Sequence, residues 1–288
     1  MMNGQKILHV WDVAGVSSIL SKYQRLSGNT SHVLMAYKNK YDPFSITAFY
    51  GNEVLESRSK FDFTSAALKL ARDYDIVHLH SMWKIAPLFR LKYPDKVIIF
   101  HWHGTDIRGQ LPFYYNALRQ LSIRSADVHI AATPDLLQYF PHWLTEQDRL
   151  FYLPNPVDRE HFKEVPVTSE RAFTFTMSYL DNHLLSKYLK DNGWSMSYDV
   201  IDRDKTPIPY KSLPDVASNY STYIDIKIQK GRPLEALSKT GLEMLSMGRL
   251  VLNYKMELIK IFPQEHDPNY VNKTLYGIYR KAQEKRRS

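Results

Sequence analysis

Cysteine is absent from the 288-residue sequence, which excludes a disulfide framework and any metal site built on thiolates. Long apolar runs are absent as well. The densest run, VIIF at 97–100, has the length of a strand, whereas a membrane-spanning helix needs about 18 apolar residues. The opening segment MMNGQKILHVWDV has one lysine and then a strand-like pattern, which is not typical of a secretory signal. Together these absences favour a globular protein of the cytoplasm.

Positive charge is what the chain has in excess: 38 Lys and Arg against 30 Asp and Glu give a net charge of +8 and a pI near 9.3. Such a surface favours anionic partners, namely nucleotide phosphates, acidic lipid headgroups or nucleic acid. The basic residues are scattered, apart from the terminal KAQEKRRS at 281–288. That tail is typical of a solvated helix end, and contact with an anionic membrane surface is the alternative. Nucleic acid is not expected as a partner.

Strand and helix patterns alternate along the whole chain. Apolar strand patterns occur at 6–13, 31–37, 45–50, 75–80, 96–104, 127–133, 172–179, 195–202, 223–228 and 249–254. Helical patterns between them predict right-handed βαβ crossovers and buried parallel sheets. The stretch HFKEVPVTSER has the composition of a linker and divides the series. We therefore predict an α/β fold of two Rossmann-like domains, at 1–158 and 159–266, with a terminal helix at 267–288 that packs back on the first domain.

Residues at the carboxyl ends of the predicted strands are the functional candidates, because ligands of doubly wound sheets bind there. Gly15 follows the first strand, where a small residue either lets a ligand approach the helix N-terminus or simply permits a tight turn. No G-x-G-x-x-G accompanies it, so a dinucleotide site is not supported. In the later loop GTDIRG, Asp106 and Arg108 are candidates for the acceptor or phosphate side. A capping aspartate and a solvated arginine are the alternative.

Four histidines lie near the ends of two predicted strands: His78 and His80 on one, His101 and His103 on the other. Alternate residues of a strand share a face, so either pair could offer two imidazoles to one metal. No carboxylate follows at a metal-ligand spacing, and hydrogen-bonded core histidines are the alternative. His103 is the best functional candidate, because the loop HGTD begins there and its imidazole could bond a ligand hydroxyl.

The stretch EALSKTGLE has a glutamate at each end, Glu235 and Glu243. Ser238 between them is a suitable N-cap for the helix that follows. The first-turn amides, with Lys239 or Thr240, could then receive a phosphate, and a plain capped helix is the alternative. Both glutamates could point towards the same cleft, at opposite ends of one extended ligand. A nucleotide sugar has that form, with two sets of hydroxyls and phosphate between them.

These motifs resemble those of the retaining GT-B glycosyltransferases of family four. EALSKTGLE with the following LSMGRLVL is similar to the family's E-x7-E and its glycine pattern. LPNPVD at 153–158 resembles the interdomain P-N-G/P-V-D. YDIVHLHS at 74–81 and FHWHGTDIR at 100–108 resemble D-V-V-H-x-H and H-G-x-D. In order and spacing the matches cover most of the first domain and the second half of the second.

The resemblance implies a GT-B fold, with two domains facing a central cleft, and a retaining transfer of sugar from a UDP- or GDP-linked donor without a metal. Glu235 would hold hydroxyls of the donor sugar, Glu243 those of the ribose, and the amides at 238–240 the diphosphate. His103 would contact the donor sugar, and Gly15 would lie near donor or acceptor. The acceptor would be a glycan, a lipid-linked molecule or a protein, and its proton would pass to the leaving phosphate.

Two departures from the family pattern keep other functions open. The family usually has an arginine and a lysine after the first strand of the second domain, whereas MSYLDNHLLSKYLK has no arginine, and Lys187 is the nearest substitute. The second domain is also short. A nucleotide-sugar-binding or scaffold protein without turnover is therefore the alternative, and a histidine-based metal hydrolase is a remote one. Attachment to an anionic membrane, through Arg90, Lys92, Arg108 and the tail, is a further hypothesis.

Overall fold

The computed structural model describes residues 4–36, 46–55, 59–104, 106–108, 112–167, 169–177, 180–229 and 231–287. The strands are β1 (Lys6–Val10), β2 (Thr30–Ala36), β3 (Glu53–Leu55), β4 (Ile76–His80), β5 (Val97–Trp102), β6 (Val128–Ala131), β7 (Leu150–Tyr152), β8 (Ala172–Thr176), β9 (Tyr198–Asp202), β10 (Thr222–Ile224), β11 (Ile228–Gln229), β12 (Arg232–Pro233), β13 (Leu250–Leu252) and β14 (Leu258–Ile259). The α-helices are α1 (Val16–Leu26), α2 (Ile46–Phe49), α3 (Lys60–Leu70), α4 (Ala86–Lys92), α5 (Phe113–Ser125), α6 (His142–Glu146), α7 (Asn182–Asp191), α8 (Leu213–Ser218), α9 (Lys239–Ser246) and α10 (Pro268–Arg287). Short 3₁₀ segments occur at Ala71–Asp73, Trp83–Ile85, Pro134–Tyr139, Tyr210–Ser212 and Gln264–His266.

These elements form two compact units. Unit 1 extends to Pro156 and also contains the segment from Pro268 onwards, while unit 2 runs from Val157 to Asp267. The sequence places the two boundaries after residues 158 and 266, and the structure places them after 156 and 267. The linker composition at 161–171 thus belongs to unit 2 rather than to a free connection.

The sheet of unit 1 has seven parallel strands in the order β3-β2-β1-β4-β5-β6-β7. Every residue of β4 and β5 is buried, as expected of central parallel strands that are covered on both faces. The chain leaves β1 in one direction and returns beyond it at β4, so the topological switch point lies between these two strands. Ile7 is opposite Ile76 there, and His9 is opposite His78. Loops that follow β1 and β4 are therefore where a ligand site is expected.

The strand predicted at 45–50 is wrong. Its described part, Ile46–Phe49, forms the short helix α2, and the strand next to β2 is β3. The alternation in SITAFY is that of a strand, but contacts across the fold decide otherwise. The Thr47 hydroxyl donates to Asp12, 3.0 Å away, and so fixes this turn of helix against the loop after β1.

The sheet of unit 2 has five strands in the order β14-β13-β10-β8-β9, of which β14 alone is antiparallel to its neighbour. A separate antiparallel pair joins β11 and β12. The strand predicted at 223–228 is right only at its start, because β10 ends at Ile224. The three residues from Asp225 to Lys227 leave the sheet at its carboxyl edge. The switch point of this sheet lies between β8 and β10.

The terminal helix α10 packs on unit 1 and completes its core. Residues spaced by three and four positions, including Leu275 and Tyr279, are fully buried against α1 and the face of the sheet. Polar contacts add direction to this packing, since Asn29 donates to the Tyr276 hydroxyl at 2.7 Å. The helix is therefore an integral layer of unit 1.

The basic end of α10 contacts unit 1 as well. Lys281 pairs with Asp148 at 2.7 Å, Arg286 lies 3.8 Å from Asp127, and Lys285 donates to the carbonyl of Gln147. Positive side chains also suit the negative end of the helix dipole. The tail is thus not simply solvated. Within the ranges that the structure describes, every helix is too short or too polar to cross a membrane.

Replacing Leu275 by alanine tests the role of α10. The side chain is fully buried, so Leu275→Ala should lower the unfolding free energy of unit 1 by about 2–5 kcal/mol. Tryptophan fluorescence in urea measures this, because four of the five tryptophans lie in unit 1. Tyr270→Ala, at an exposed position of the same helix, is the control and should change the value by less than about 0.5 kcal/mol. Equal effects of the two substitutions would contradict the packing.

Candidate functional site

The loop after β5 places His103 at the carboxyl edge of the first sheet, and Asp106 fixes its backbone. The Asp106 carboxylate accepts from the N–H of His103 at 3.0 and 3.2 Å, from the N–H of Gly104 at 2.8 Å and from the Ser81 hydroxyl at 2.8 Å. Burial raises the pKa of Asp106, and these donors oppose that rise. The geometry therefore supports the capping role of Asp106, with His103 as the residue that it positions.

Arg108 fastens the same loop to the next strand. Its guanidinium donates to Asp135, which follows β6, at 2.8 and 2.9 Å, and to the Thr133 hydroxyl at 3.2 Å. Gly104 makes room for this side chain: its φ is +126°, and a Cβ there would lie 2.3 Å from an Arg108 nitrogen. Arg108 is therefore an ion-paired loop residue and not a solvated one.

Gly15 is required by the turn into α1. It has a φ of +77°, and a Cβ at this position would lie 2.7 Å from the Ile46 side chain. The space beside Gly15 thus belongs to α2. The neighbouring Asp12, which the sequence did not single out, occupies the helix N-terminus: its carboxylate accepts from the Ser17 N–H at 3.1 Å and the Ser17 hydroxyl at 2.6 Å. The Asp12 carboxylate therefore occupies the place at the N-terminus of α1 where a ligand anion would otherwise bind.

The histidines of the central strands form one stacked cluster. The rings of His78 and His80 are 4.3 Å apart, as are those of His101 and His103. A fifth histidine, His9 on β1, joins them and lies 4.9 Å from His78. The first four are spaced as H-x-H pairs, whereas His9 has no such partner in the sequence, which is why it was not predicted.

Burial keeps this cluster uncharged. It lowers the pKa of His9 to about 4 and that of His103 to about 3. The pKa of His80 is also far below its ordinary value, because of burial first and of the neighbouring imidazoles second. Neutral rings can bond one another: His9 Nδ1 lies 3.0 Å from His80 Nε2, and His80 Nδ1 lies 3.1 Å from His103 Nε2. These bonds support the core interpretation for His9, His80 and His103, whereas neither ring nitrogen of the buried His101 has a hydrogen-bond partner among the described residues.

A metal would have to displace these bonds. The ring nitrogens of His9, His78 and His80 lie within 4.8 Å of one another, and so do those of His80, His101 and His103. In each set one pair is joined by an imidazole–imidazole hydrogen bond, which uses a lone pair that a metal ion would need. The rings of each set are also stacked or tilted against one another.

In unit 2, the buried carboxylate of Asp225 holds the start of α9. It accepts from the Ser238 N–H at 2.6 Å and the Ser238 hydroxyl at 2.5 Å. The Ser238 oxygen in turn accepts from the Gly241 N–H at 3.1 Å, so its predicted N-cap role is confirmed. A Cβ on Gly241 would lie 2.3 Å from Asp225, which explains the glycine. Two amides of this turn are thus used, and those of Lys239 and Thr240 face the same end of the helix.

Glu243 lies one turn further along α9 and is almost fully buried. Its carboxylate is ion-paired with Lys239, whose ammonium also lies 5.7 Å from the Tyr210 ring centre. The spacing of four residues brings the two side chains together on one face of the helix. Glu243 and Lys239 therefore form one ion pair on the buried side of α9.

Glu235 and Lys187 are both exposed, but in different settings. Glu235 lies in the loop between β12 and α9, and within the described ranges it has neither an ion pair nor a hydrogen bond from its side chain. Glu235 is thus an exposed acidic residue on the loop that leads into α9. Lys187 lies on α7 and pairs with Asp191, one turn away on the same exposed helix surface. Nothing in these contacts connects Lys187 with the α9 site.

Two cations near Glu243 were missed by the sequence reasoning: Arg203, directly after β9, and Lys227, three residues after β10. Burial lowers the pKa of Lys227, and the neighbouring charge of Arg203 lowers it further, whereas Asp225 and Glu243 oppose this. The Lys227 ammonium lies 3.9 Å from Asp225. Neither cation falls where the family pattern places one, so only their positions at strand ends could have indicated them.

The cations named for a membrane contact are largely engaged within unit 1. Arg90 pairs with Asp127 at 2.8 Å, and Arg108 with Asp135 as described above. Exposed apolar side chains do occur nearby, at Leu91 on α4 and Phe113 on α5. Attachment to anionic lipids stays a prediction that rests on the net charge.

Comparison with known proteins supports the family resemblance over the first half of the chain. Residues 28–161 match the family model described as Glycosyltransferase Family 4, which is just under half of the sequence. A search of curated proteins finds no match.

Solved structures share the fold of nearly the whole chain. HepE of Anabaena in complex with UDP is 13% identical, with a TM-score of 0.59 over 98% of this chain and 94% of that one. The UDP-N-acetylglucosamine 2-epimerase of Rickettsia bellii is 11% identical, with a TM-score of 0.51 over 98% of each chain. The corresponding enzyme of Neisseria meningitidis, bound to UDP-GlcNAc, is 13% identical, with a TM-score of 0.50 over 98% and 94%. The chain has an α/β, GT-B-like fold. The predicted parallel Rossmann-like sheets are thereby confirmed.

The buried histidines predict that unit 1 loses stability in mild acid. His9, His103 and His129 have folded pKa values of about 4, 3 and 3, below the ordinary 6.5, so the unfolded chain binds more protons between these values. Unfolding free energy should therefore fall as pH drops from 6.5 towards 4, by up to roughly 1.4 kcal/mol per pH unit and group. Tryptophan-monitored urea unfolding at several pH values measures the slope.

The raised pKa of Asp106 changes the stability in the opposite direction as pH falls. The histidine contribution is therefore measured as the difference in slope between the unmodified protein and a histidine variant. His129→Gln removes one buried imidazole and should give a shallower fall than the unmodified protein. Identical slopes would show that His129 is not buried in its neutral form.

Proposed function

We propose that the protein is a glycosyltransferase that moves a sugar from a nucleotide-sugar donor to an acceptor with retention of anomeric configuration. The observation that carries this proposal is the composition of the carboxyl edge of the second sheet. An exposed glutamate, a helix N-terminus and two cations lie around the EALSKTGLE segment. A carboxylate recognises sugar hydroxyls, whereas a helix N-terminus and cations recognise a diphosphate.

The diphosphate would be bound by Arg203, Lys227 and the amides at the start of α9. Helix N-termini attract anions through their unsatisfied N–H groups and the helix dipole. The Asp225 carboxylate beside them would repel a diphosphate, and the nearby ammonium of Lys227 offsets this charge. The two cations replace the arginine and lysine that the family pattern places after β8, and Lys187 is not needed for this role.

The two glutamates would bind the ends of the donor. Glu235 is exposed and would accept hydrogen bonds from hydroxyls of the donor sugar. Glu243 would accept from the ribose hydroxyls while it keeps its ion pair with the ammonium of Lys239. Removing either acceptor would leave ligand hydroxyls without partners in a partly buried site, which weakens binding more than a lost surface contact would.

In the reaction, the bond between the anomeric carbon and the diphosphate oxygen breaks while the acceptor oxygen bonds to the same face. The acceptor's proton passes to the leaving phosphate oxygen. The protein's contribution is to position both substrates and to stabilise the charge that develops on the diphosphate. Arg203 and Lys227 are the groups suited to that stabilisation.

UDP is the nucleotide that we propose for the donor. HepE of Anabaena is described in complexes with UDP and with UDP-glucose, and the Neisseria epimerase is described bound to UDP-GlcNAc. Both proteins share the fold of this chain, and all of these ligands contain uridine diphosphate. The sugar and the acceptor are not fixed by this likeness. A glycan, a lipid-linked molecule and a protein are all suitable acceptors.

Replacing Glu235 tests the proposed transfer. Glu235→Gln should reduce sugar transfer at least about a hundredfold, because a neutral amide is a weaker acceptor for the donor hydroxyls where charge develops. Affinity for UDP itself should change little, since UDP lacks the sugar. Release of UDP from a panel of UDP-sugars gives the rate, and calorimetry gives the affinity.

Glu257→Gln is the matched control, an acidic residue of the same unit that holds the turn after β13. Wild-type protein that binds UDP-sugars but turns none over, with every acceptor class offered, would favour the binding or scaffold function. Conversion of one UDP-sugar into another would favour an epimerase. Unchanged transfer by the Glu235 variant would remove its assigned role.

The cation assignment is tested by comparing two lysines. Lys227→Met should weaken UDP binding by about tenfold or more, because one charged hydrogen bond to the diphosphate is lost. Lys187→Met should leave it unchanged. Uridine without phosphate should bind both variants like the wild type, which separates loss of a phosphate contact from local unfolding. Weaker binding in the Lys187 variant alone would reverse the assignment.

A further inference from the structure

A continuous chain of hydrogen bonds crosses the first sheet from α1 to the loop after β5. It begins at Gln24, whose Oε1 lies 2.9 Å from His9 Nε2. His9 Nδ1 then lies 3.0 Å from His80 Nε2, and His80 Nδ1 lies 3.1 Å from His103 Nε2. Gln24 lies on α1, His9 on β1 and His80 on β4, and His103 directly follows β5. The last of these residues lies at the carboxyl edge of the sheet, where ligands of such folds bind.

The distances around Gln24 fix which way its amide points. The atom that faces Ser31 lies 2.6 Å from the serine hydroxyl, a separation normal for O–H···O and too short for N–H···O. The atom that faces the Tyr279 hydroxyl lies 3.3 Å away, close to the N–H···O range and too long for O–H···O. The amide oxygen therefore faces Ser31 and His9, and the amide nitrogen faces Tyr279.

This anchor gives the chain a direction. An amide oxygen only accepts, so His9 must donate from Nε2. A neutral imidazole carries one N–H, so His9 Nδ1 accepts and His80 must donate from its own Nε2. By the same step His80 Nδ1 accepts, and His103 donates from Nε2. Burial holds the pKa of His9 at about 4 and that of His103 at about 3, so both rings are neutral near pH 7.

We propose that Gln24, His9 and His80 are positioning residues that fix the tautomer of His103, so that its Nδ1 is presented as a hydrogen-bond acceptor. The backbone N–H of His103 is held by Asp106, which fixes the backbone from which the ring projects. Within the described ranges His103 Nδ1 has no hydrogen-bond partner, and the residue is only partly covered. An acceptor at this place selects a ligand group that donates, such as a sugar hydroxyl, and disfavours a phosphate or carboxylate oxygen.

The contact with a sugar hydroxyl rests on the proposed function, but the tautomer does not. Nitrogen-15 NMR of histidine-labelled protein at pH 7, without any ligand, distinguishes protonated from unprotonated ring nitrogens. Signals are assigned from single His→Gln variants. His9, His80 and His103 should each be protonated at Nε2 and unprotonated at Nδ1. Protonation of His103 at Nδ1, or of both nitrogens, would overturn the proposal.

Variants of Gln24 test the anchor. Gln24→Met removes the acceptor, so His103 should no longer hold a single tautomer, and sugar transfer should fall roughly fivefold through the loss of one oriented hydrogen bond. Gln24→Glu keeps an acceptor towards His9 and should retain the Nε2–H form of His103. His129→Gln, a buried histidine of β6 whose nitrogens bond Trp102 and Ile123, is the control and should leave the His103 signals unchanged.

Thermal unfolding of each variant shows whether it is folded at the NMR temperature. A folded Gln24→Met protein whose His103 keeps the single Nε2–H tautomer would overturn the anchoring role. If the tautomers behave as expected and no nucleotide sugar is used, the proposed function fails while the directed chain stands. The two outcomes are thereby distinguishable.

Discussion

An imidazole buried away from water is uncharged and is stabilised by a partner for its N–H, and three histidines of unit 1 provide such partners for one another in series. His9, His80 and His103 satisfy one another, and Gln24 on α1 ends the series. The amide of Gln24 must itself be satisfied, and α10 supplies Tyr279 for that purpose. The last helix therefore contributes both to a buried polar network, through Tyr279, and to the apolar core of unit 1.

Carboxylates do the corresponding work at the edges of both sheets. Asp12 and Asp106 bind backbone N–H groups in the loops after β1 and β5, and Asp225 binds the start of α9. Each acid shapes a loop by using the donors that would otherwise attract a ligand anion. The polar groups that these acids do not use are few. In the proposed site they are a ring nitrogen of His103 in unit 1 and the first turn of α9 beside Lys227 in unit 2. The two units differ because only the loop before α9 keeps backbone N–H groups that no acid accepts from in the proposed site.

The sequence predicted the elements whose signal is local. Apolar runs located the central strands, and Ser238 before a helical pattern located the N-cap of α9. It failed where contacts across the fold outweigh the local pattern, as at 45–50, which forms a helix because Thr47 bonds to Asp12. YIDIKI alternates like a strand, yet β10 ends at Ile224, and the carboxylate of the next residue, Asp225, binds Ser238. No local signal reports a partner 13 residues away.

The missed site residues have the same explanation. His9 lacks a neighbour in an H-x-H pair, and Arg203 lies in a polar loop without a motif, so only the strand order brings them to their sites. Lys187 is near in sequence to the position that the family pattern indicates, and in the structure it pairs with Asp191 on the exposed surface of α7. Strand ends are the better guide, since parallel strands bring their carboxyl ends to one edge whatever residues lie between them.

The state of His103 also limits what it can do in the proposed reaction. A ring with a pKa of about 3 is neutral at pH 7 and is too weak a base to take a proton from an acceptor hydroxyl. Its N–H is committed to His80, so it is no acid towards the substrate either. Proton transfer then falls to the leaving phosphate, and the barrier depends on how well charge on that phosphate is stabilised. For this reason the cations of unit 2, and not the histidines of unit 1, are expected to govern the rate of transfer.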